Sequence, residues 1–243
     1  MNWKIIIQKI FKKIGFEIHR TESGKEYILC PPYGYSTYSP WFEDKFQEIY
    51  RKINNYTIVK EDRCYIIQKF CYNCLHLEGD FAECGVYKGG TAFLTAYTLK
   101  KNSIQDKELH LFDTFTGMPD IVNKDPSVHK KCDFGDTSMN TVKEYLKKFP
   151  FIYFHPGLIP DTFEAVKTKR FAFVHVDVDL YQTTKDCCNF FYKRMSKGGV
   201  MIFDDYGFPH YKFSEKKAVD EFFNDKPESP ISLRTGQCII IKL

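Results

Sequence analysis

The chain has 243 residues, 43% of them hydrophobic and 17% aromatic, which suits one large α/β domain with room for a small extension and excludes a disordered polymer. Thirty-five basic against 31 acidic side chains leave a formal charge of +4. That balance is mild, and with no arginine-rich stripe it points away from nucleic acid as a partner.

The first element is a basic amphipathic helix. Trp3, Ile6, Ile7, Ile10 and Ile14 share one helical face, and Lys4, Lys9, Lys12 and Lys13 supply the charge. The stretch is too short and too interrupted by lysine to cross a bilayer or act as a secretory signal. Two readings stay open: the helix packs on its own domain or a second subunit, or it lies on a membrane surface. Next, Cys30-Pro-Pro-Tyr-Gly-Tyr-Ser-Thr-Tyr-Ser-Pro40 reads as an irregular connection. Its Tyr33, Tyr35 and Tyr38, with Trp41, make either an aromatic wall for a ring-shaped ligand or an ordinary packed loop. Helical patterns follow at about 41–53 and 60–76. The division this suggests is an N-terminal extension over 1–54 and a main domain over 55–243.

From about Gly79 strands and helices alternate, the pattern of a doubly wound, mostly parallel sheet. The expected strands are Phe81–Cys84, Glu108–Phe112, Ile152–His155, Phe171–Val176 and Val200–Phe203, with two more in the tail meeting near Thr235-Gly236 to complete seven. Thr183 or Thr184 is expected to cap a helix whose apolar face is Cys187, Cys188, Phe191 and Met195, stopped by Gly198-Gly199. Ser214 is expected to cap another, with Glu215 in its first turn and Ala218, Val219, Phe222 and Phe223 inward. The nine cysteines form no disulfide framework: the number is odd, several lie in apolar segments, and no secretory signal precedes them. A reducing, cytoplasmic location is expected. Cys71-Tyr-Asn-Cys74 has no second pair at zinc spacing and falls in a helical pattern, so ordinary helix cysteines are expected there.

Chemistry concentrates where strands end. Phe171–Val176 runs into Asp177, and Val200–Phe203 into Asp204-Asp205. Parallel sheets bind ligands at these carboxyl ends. Three carboxylates gathered there repel one another unless one is protonated or a cation joins them, and an all-oxygen set suits Mg²⁺, Mn²⁺ or Ca²⁺ rather than zinc. The first strand enters Glu83-Cys-Gly-Val-Tyr-Lys-Gly-Gly90, which is neither a P-loop nor a GxGxxG fingerprint. Glu83 would repel a pyrophosphate, whereas it suits the ammonium and sulfonium of S-adenosylmethionine. Asp113, at the end of the next strand, is placed to accept the two hydroxyls of a ribose. Phe115 or Met118 could lie on an adenine. His175 shares a sheet face with Asp177 one pleat deeper and reads as a buried, satisfied histidine. Asp179 either holds Tyr181 or the acceptor, or caps the next helix.

Four separated segments in the right order, Glu83–Gly90, Asp113-Thr-Phe-Thr-Gly-Met-Pro119, Asp177-Val-Asp-Leu-Tyr181 and Gly198-Gly-Val-Met-Ile-Phe-Asp-Asp-Tyr-Gly207, resemble the macrocin/mycinamicin O-methyltransferase family. The resemblance covers about residues 55–243. It implies a Rossmann-like class I methyltransferase fold, S-adenosylmethionine and Mg²⁺ (or Mn²⁺) as cofactors, and a sugar or glycosylated metabolite as acceptor. It implies metal positions at Asp177, Asp204 and Asp205, with Asp177 also as base. Cofactor positions are implied at Thr57, Glu83, Gly85, Tyr87, Gly89, Asp113, Ser138 and Asp177. It further implies a homo-oligomer. Cys84, Tyr87 and Lys88 replace the family's common Thr, Trp and Arg, and the first fifty residues do not match. Two other readings are carried: a catechol-type O-methyltransferase acting on an aromatic diol, and a non-catalytic module that binds a nucleoside-like ligand.

Overall fold

The computed structural model describes residues 3–14, 17–20, 27–30 and 40–243, which divide into two compact units, Met1–Glu43 and Asp44–Leu243. In the first unit, helix α1 (Trp3–Lys13) precedes two antiparallel strands, β1 (Glu17–Arg20) and β2 (Tyr27–Cys30), which the sequence patterns did not suggest. A short 3₁₀ turn at Pro40–Phe42 carries Trp41. Tyr33, Tyr35 and Tyr38 lie outside the described residues. No helix among the described residues is long and apolar enough to cross a membrane.

The second unit opens with α2 (Asp44–Ile53) and α3 (Glu61–Cys74), so the division falls before α2 and not after it. The strands β3 (Asp80–Cys84), β4 (Leu109–Asp113), β5 (Ile152–Pro156), β6 (Phe171–Val176), β7 (Met195–Phe203), β8 (Ile231–Ser232) and β9 (Cys238–Ile241) form one sheet in the order β5-β4-β3-β6-β7-β9-β8. The first five in that order run parallel, and β9 pairs antiparallel with both β7 and β8. The tail is therefore the edge hairpin expected from its turn. Helices α4 (Gly90–Lys101), α5 (Met139–Leu146), α6 (Tyr181–Phe191) and α7 (Glu215–Phe223) connect the strands. Every residue of β3 and β6 is buried, as central parallel strands covered on both faces require. The chain order reverses between β3 and β6, which opens the crevice where such sheets bind ligands.

Two helix boundaries differ from expectation. Helix α6 starts at Tyr181, not after Thr183 or Thr184. Both the amide and the hydroxyl of Thr184 bond to the Leu180 carbonyl, so Thr184 sits inside the first turn, while Asp125 from a distant loop accepts the Tyr181 amide at 3.0 Å. After Phe191 a 3₁₀ turn at Tyr192–Arg194 ends the helix, and Met195 begins β7. Gly198-Gly199 thus lies inside a strand, where a Cβ on Gly199 would come within 3.0 Å of the Ser196 and Ala172 carbonyls. Cys71 and Cys74 are buried on α3, as expected of helix cysteines.

Phe191 is the hub of the core on the α6 side. It is fully buried, with the rings of Phe163 and Phe171 at 5.0 Å and Phe190 at 5.1 Å. Phe191→Ala should cost about 3–5 kcal/mol, the range for deleting a buried phenyl ring. Urea unfolding should show a lower midpoint at an unchanged slope, and a loss under 1 kcal/mol would mean that this cluster does not organise the core.

Candidate active site

A cavity of about 370 Å³ opens at the carboxyl ends of the strands. The glycine turn after β3 shapes one wall. At Gly85 (φ +85°) a Cβ would lie 1.8 Å from the Asp177 carbonyl oxygen, so only glycine lets the ends of β3 and β6 approach this closely. The Asp177 amide in turn donates to the Cys84 carbonyl at 2.8 Å. At Gly90 a Cβ would come within 2.8 Å of Thr57 and of the Tyr56 backbone, which brings the 56–59 segment over the turn. There Thr57 Oγ1 accepts the Val59 amide at 3.1 Å.

The structure sorts the expected cofactor residues. Thr57, Gly85, Tyr87, Asp113 and Asp177 line the cavity. Asp113 is already engaged by three backbone amides, from Val86 (2.6 Å), Tyr87 (3.0 Å) and Phe115 (2.6 Å), so it also orders the turn that it faces. Glu83 is buried behind the wall. Its Oε1 accepts from Thr91 Oγ1 at 2.5 Å, and its Oε2 has no partner. Gly89 (φ +87°) is the N-cap of α4 and packs toward Val142. Ser138 lies elsewhere: it caps α5 and lines a separate concavity with Asn55, Lys88 and Asp136.

The carboxylates fall into two sets that share Asp177. Ligand atoms of Asp177, Asp179 and Asp205 lie within 4.8 Å of one another, and so do those of His175, Asp177 and Asp204. Asp204 is fully buried. Its Oδ1 accepts from Gln237 Nε2 at 2.7 Å, with His175 Nε2 at 3.3 Å, and its Oδ2 pairs with Arg63. Arg63 also reaches Asp205 Oδ1 at 3.2 Å. Of these clustered carboxylates, Asp177, Asp179 and Asp205 line the cavity, with Asp113 on the opposite, glycine-turn side of the lining, whereas Asp204 does not.

Several of these partners escaped the sequence reading. Arg63 and Gln237 lie on α3 and in the tail hairpin. Glu215 did appear there, but as a first-turn helix residue. It is fully buried instead: its Oε1 accepts the Asp205 amide at 2.8 Å and its Oε2 has no partner. Ser214 stands at the N-cap position of α7 but makes no side-chain bond to the helix. At the outer rim, His129 Nε2 lies 2.9 Å from the Tyr211 hydroxyl and 3.6 Å from Asp179. Only the spacing of acidic residues was a sequence signal for this neighbourhood.

Crowding sets the protonation states. Burial disfavours charge on His175, but the Asp204 and Glu83 carboxylates outweigh it and raise its pKa to about 10. The ring is therefore buried, as expected, and charged, but not satisfied, since its Nδ1 has no hydrogen-bond partner. Burial also opposes charge on Asp204, yet His175 and Arg63 hold it below the usual carboxylate range. Burial and Asp204 push Asp177 up to about 8. Burial, Asp177 and Asp204 push Asp205 up to about 12. Burial and Asp177 also raise Glu215 well above normal. More carboxylate charge converges here than Arg63 and His175 neutralise.

This excess predicts a stability profile. A carboxyl whose folded pKa lies above its unfolded value binds more protons when folded, so it costs stability as pH rises from about 4 to about 8. In chelator at pH 8, Asp177→Asn should therefore raise Tm, by roughly 2–4 °C per kcal/mol relieved. Near pH 4 the gain should vanish. A lower Tm for the variant at pH 8 would show that the cluster is not repulsive.

Comparison with known proteins bears on this arrangement. The sequence profile of the Macrocin-O-methyltransferase (TylF) family matches residues 51–232. The chain is 31% identical over 156 residues to mycinamicin III 3''-O-methyltransferase of Micromonospora griseorubida, covering 59% of this chain and 60% of that protein. It is 28% identical over 138 residues to 8-demethyl-8-(2,3-dimethoxy-alpha-L-rhamnosyl)-tetracenomycin-C 4'-O-methyltransferase of Streptomyces olivaceus, covering 53% of each. The matched regions thus span between half and three-fifths of these relatives. Among solved structures, the O-methyltransferase NovP superposes with a TM-score of 0.69 at 24% identity, covering 77% of this chain and 82% of that one. The calicheamicin methyltransferase CalS11 superposes at 0.63 and 16% identity, covering 82% and 93%. Both share the Rossmann-like class I methyltransferase fold. The profile match takes in the glycine turn and all the strand-end carboxylates, and the chain belongs to the Macrocin-O-methyltransferase (TylF) family.

Proposed function

We propose that the protein transfers a methyl group from S-adenosylmethionine to a hydroxyl of a sugar or glycosylated metabolite, assisted by Mg²⁺ or Mn²⁺. One observation carries this reading: a single cavity is lined both by the glycine turn with Asp113 and by Asp177, Asp179 and Asp205. Family membership and the sugar hydroxyls in the relatives' names support the substrate class.

The residues fit a hard cation. Three carboxylates offer oxygens within 4.8 Å of one another on the cavity wall, and oxygen-only sets suit Mg²⁺ and Mn²⁺. Asp177 and Asp205 are the proposed holders together with Asp204, whose exchange of Arg63 for the cation would complete the family set. Asp179 is a further candidate in this chain. Held there, a divalent cation would supply Lewis acidity that lowers the pKa of an acceptor hydroxyl.

The chain's own residues have separate tasks in this reading. Thr57, Gly85, Tyr87 and Asp113 hold and orient the cofactor, with Glu83, Gly89 and Ser138 supporting that wall from behind and beside it. Asp177, between turn and cluster, takes the acceptor's proton. Before a cation binds, Arg63, His175 and Gln237 hold Asp204 ionised and in place. Methyl transfer needs the nucleophile, methyl and sulfur in line, and holding them so is the larger part of catalysis. Two further proposals concern assembly: a homo-oligomer, and contact of α1 with a membrane surface. Exposed Ile7, Ile10 and Ile14, beside exposed Lys9, Lys12 and Lys13, support the second.

Chelation should abolish turnover, and Mg²⁺ or Mn²⁺ should restore it. Full activity in chelator, or in Asp204→Asn/Asp205→Asn, would remove the cation from the mechanism. The acceptor should carry a second oxygen beside the methylated one. A vicinal diol and its deoxy analogue should differ by most of the rate, since both pKa shift and alignment depend on bidentate binding. Equal rates for the two would contradict that role.

A further inference from the structure

At the amino ends of β3 and β4, the opposite edge of the sheet from the cavity, a second group of ligand-type side chains converges. Asp80, Glu108 and His110 each place one atom within 4.8 Å of the others. His110 Nε2 is 3.3 Å from Glu108 Oε2 and 3.6 Å from Asp80 Oδ2. His110 is only 2% exposed, and this nitrogen has no hydrogen-bond partner although it is aimed between two carboxylates. The other ring nitrogen is engaged: Nδ1 lies 3.1 Å from His155 Nε2.

His155 decides what His110 presents. His155 Nε2, 3.1 Å from Nδ1, can accept the Nδ1 proton of His110, which leaves His110 Nε2 free to ligate. Aimed between two carboxylates without a bond to either, that Nε2 stands where an incoming cation would meet all three groups. The carboxylates are oriented for the same point. Asp80 Oδ1 accepts the Glu108 amide at 2.9 Å, which turns Oδ2 toward the group. The cation now nearest is Lys169, 3.1 Å from Asp80 Oδ2 and 2.5 Å from Glu108 Oε2. It is a single charge against two, 37% exposed, and it leaves His110 Nε2 unbonded.

We propose that Asp80, Glu108 and His110 form a binding site for a borderline divalent cation of the Zn²⁺ class, separate from the catalytic carboxylates. Two carboxylate oxygens and one imidazole nitrogen are a three-ligand zinc set, which leaves a fourth position for water. The imidazole separates this set from the oxygen-only cluster in the cavity. His155 orients the ring from behind, in the place where a metal-bound histidine usually meets a carboxylate, carbonyl or water. Lys169 is the displaceable counter-ion. Two carboxylates and one divalent ion balance, so binding ties the starts of β3 and β4 together without residual charge.

The test is calorimetric titration of Zn²⁺ into the full chain carrying Asp177→Asn/Asp205→Asn, with thermal unfolding in parallel. That background weakens the competing carboxylate cluster. One Zn²⁺ should bind per chain and raise Tm, as a ligand selective for the folded state must. Glu108→Gln, at a partly exposed position, should abolish both effects, and His155→Phe should weaken binding about 10–100-fold. Lys169→Ala should bind Zn²⁺ more tightly than its parent, because the competing ammonium is gone. A purely structural ion-pair network gives the opposite result for Lys169→Ala, a lower Tm with no gain in affinity. That result, unchanged uptake in Glu108→Gln, or no uptake in the parent would overturn the proposal.

Discussion

Carboxylate repulsion at one end of a parallel sheet is the constraint around which this molecule is arranged. Asp177, Asp204 and Asp205 follow two adjacent strands, and Asp179 and Glu215 join them from the loop after β6 and the start of α7. Isolated, such a group would protonate or push the strands apart. Three elements remote in sequence counter it. Arg63 comes from α3, His175 from inside β6, and Gln237 from the tail hairpin, and all three converge on Asp204. The result is graded: Asp204 is held ionised, while the raised pKa values fall on Asp177 and Asp205, which line the cavity. The proton-holding carboxyls are thereby placed where an entering cation can displace their protons.

The second constraint is closeness of backbone. Gly85 lets the end of β3 pass within reach of Asp177, and Gly90 lets the segment at Thr57 lie over the same turn. Asp113 then fixes the turn through the Val86 and Tyr87 amides and its own loop through that of Phe115. The cofactor wall and the carboxylate wall are thus one assembly, and a side chain added at Gly85 would displace both. This is why the cavity carries two kinds of chemistry in one space.

Much of the fold was legible because three strand segments, 109–112, Phe171–Val176 and 200–203, are short, mainly apolar runs that lead directly into a carboxylate. Asp113, Asp177 and Asp205 could be placed at the cavity on that ground alone. Periodicity was a poorer guide at helix ends. Met195 continues the apolar spacing of α6, yet a 3₁₀ turn intervenes and it starts β7. Thr184 looks like a cap, but Asp125 receives the first free amide from 56 residues away. Partners of the carboxylates were hidden for the same reason. Arg63 is an ordinary polar helix residue until the fold brings it to Asp204, 141 residues along the chain. Glu215 fits the charge preference of a helix start so well that its burial leaves no sequence signal. Ser138 shows the reverse case, a residue expected at the cofactor whose immediate task is to cap α5.

The central claim is that one cavity binds S-adenosylmethionine on one wall and a hard divalent cation on the other. Calorimetric titration of S-adenosylmethionine and of Mg²⁺, each alone and in the presence of the other, tests it most directly when repeated on Asp205→Asn. The account predicts one S-adenosylmethionine per chain, one Mg²⁺ per chain at the cavity, and loss of that Mg²⁺ in Asp205→Asn with cofactor binding retained. No detectable S-adenosylmethionine binding beside tight binding of a pyrophosphate dinucleotide such as NAD, or Mg²⁺ binding indifferent to Asp205, would contradict it.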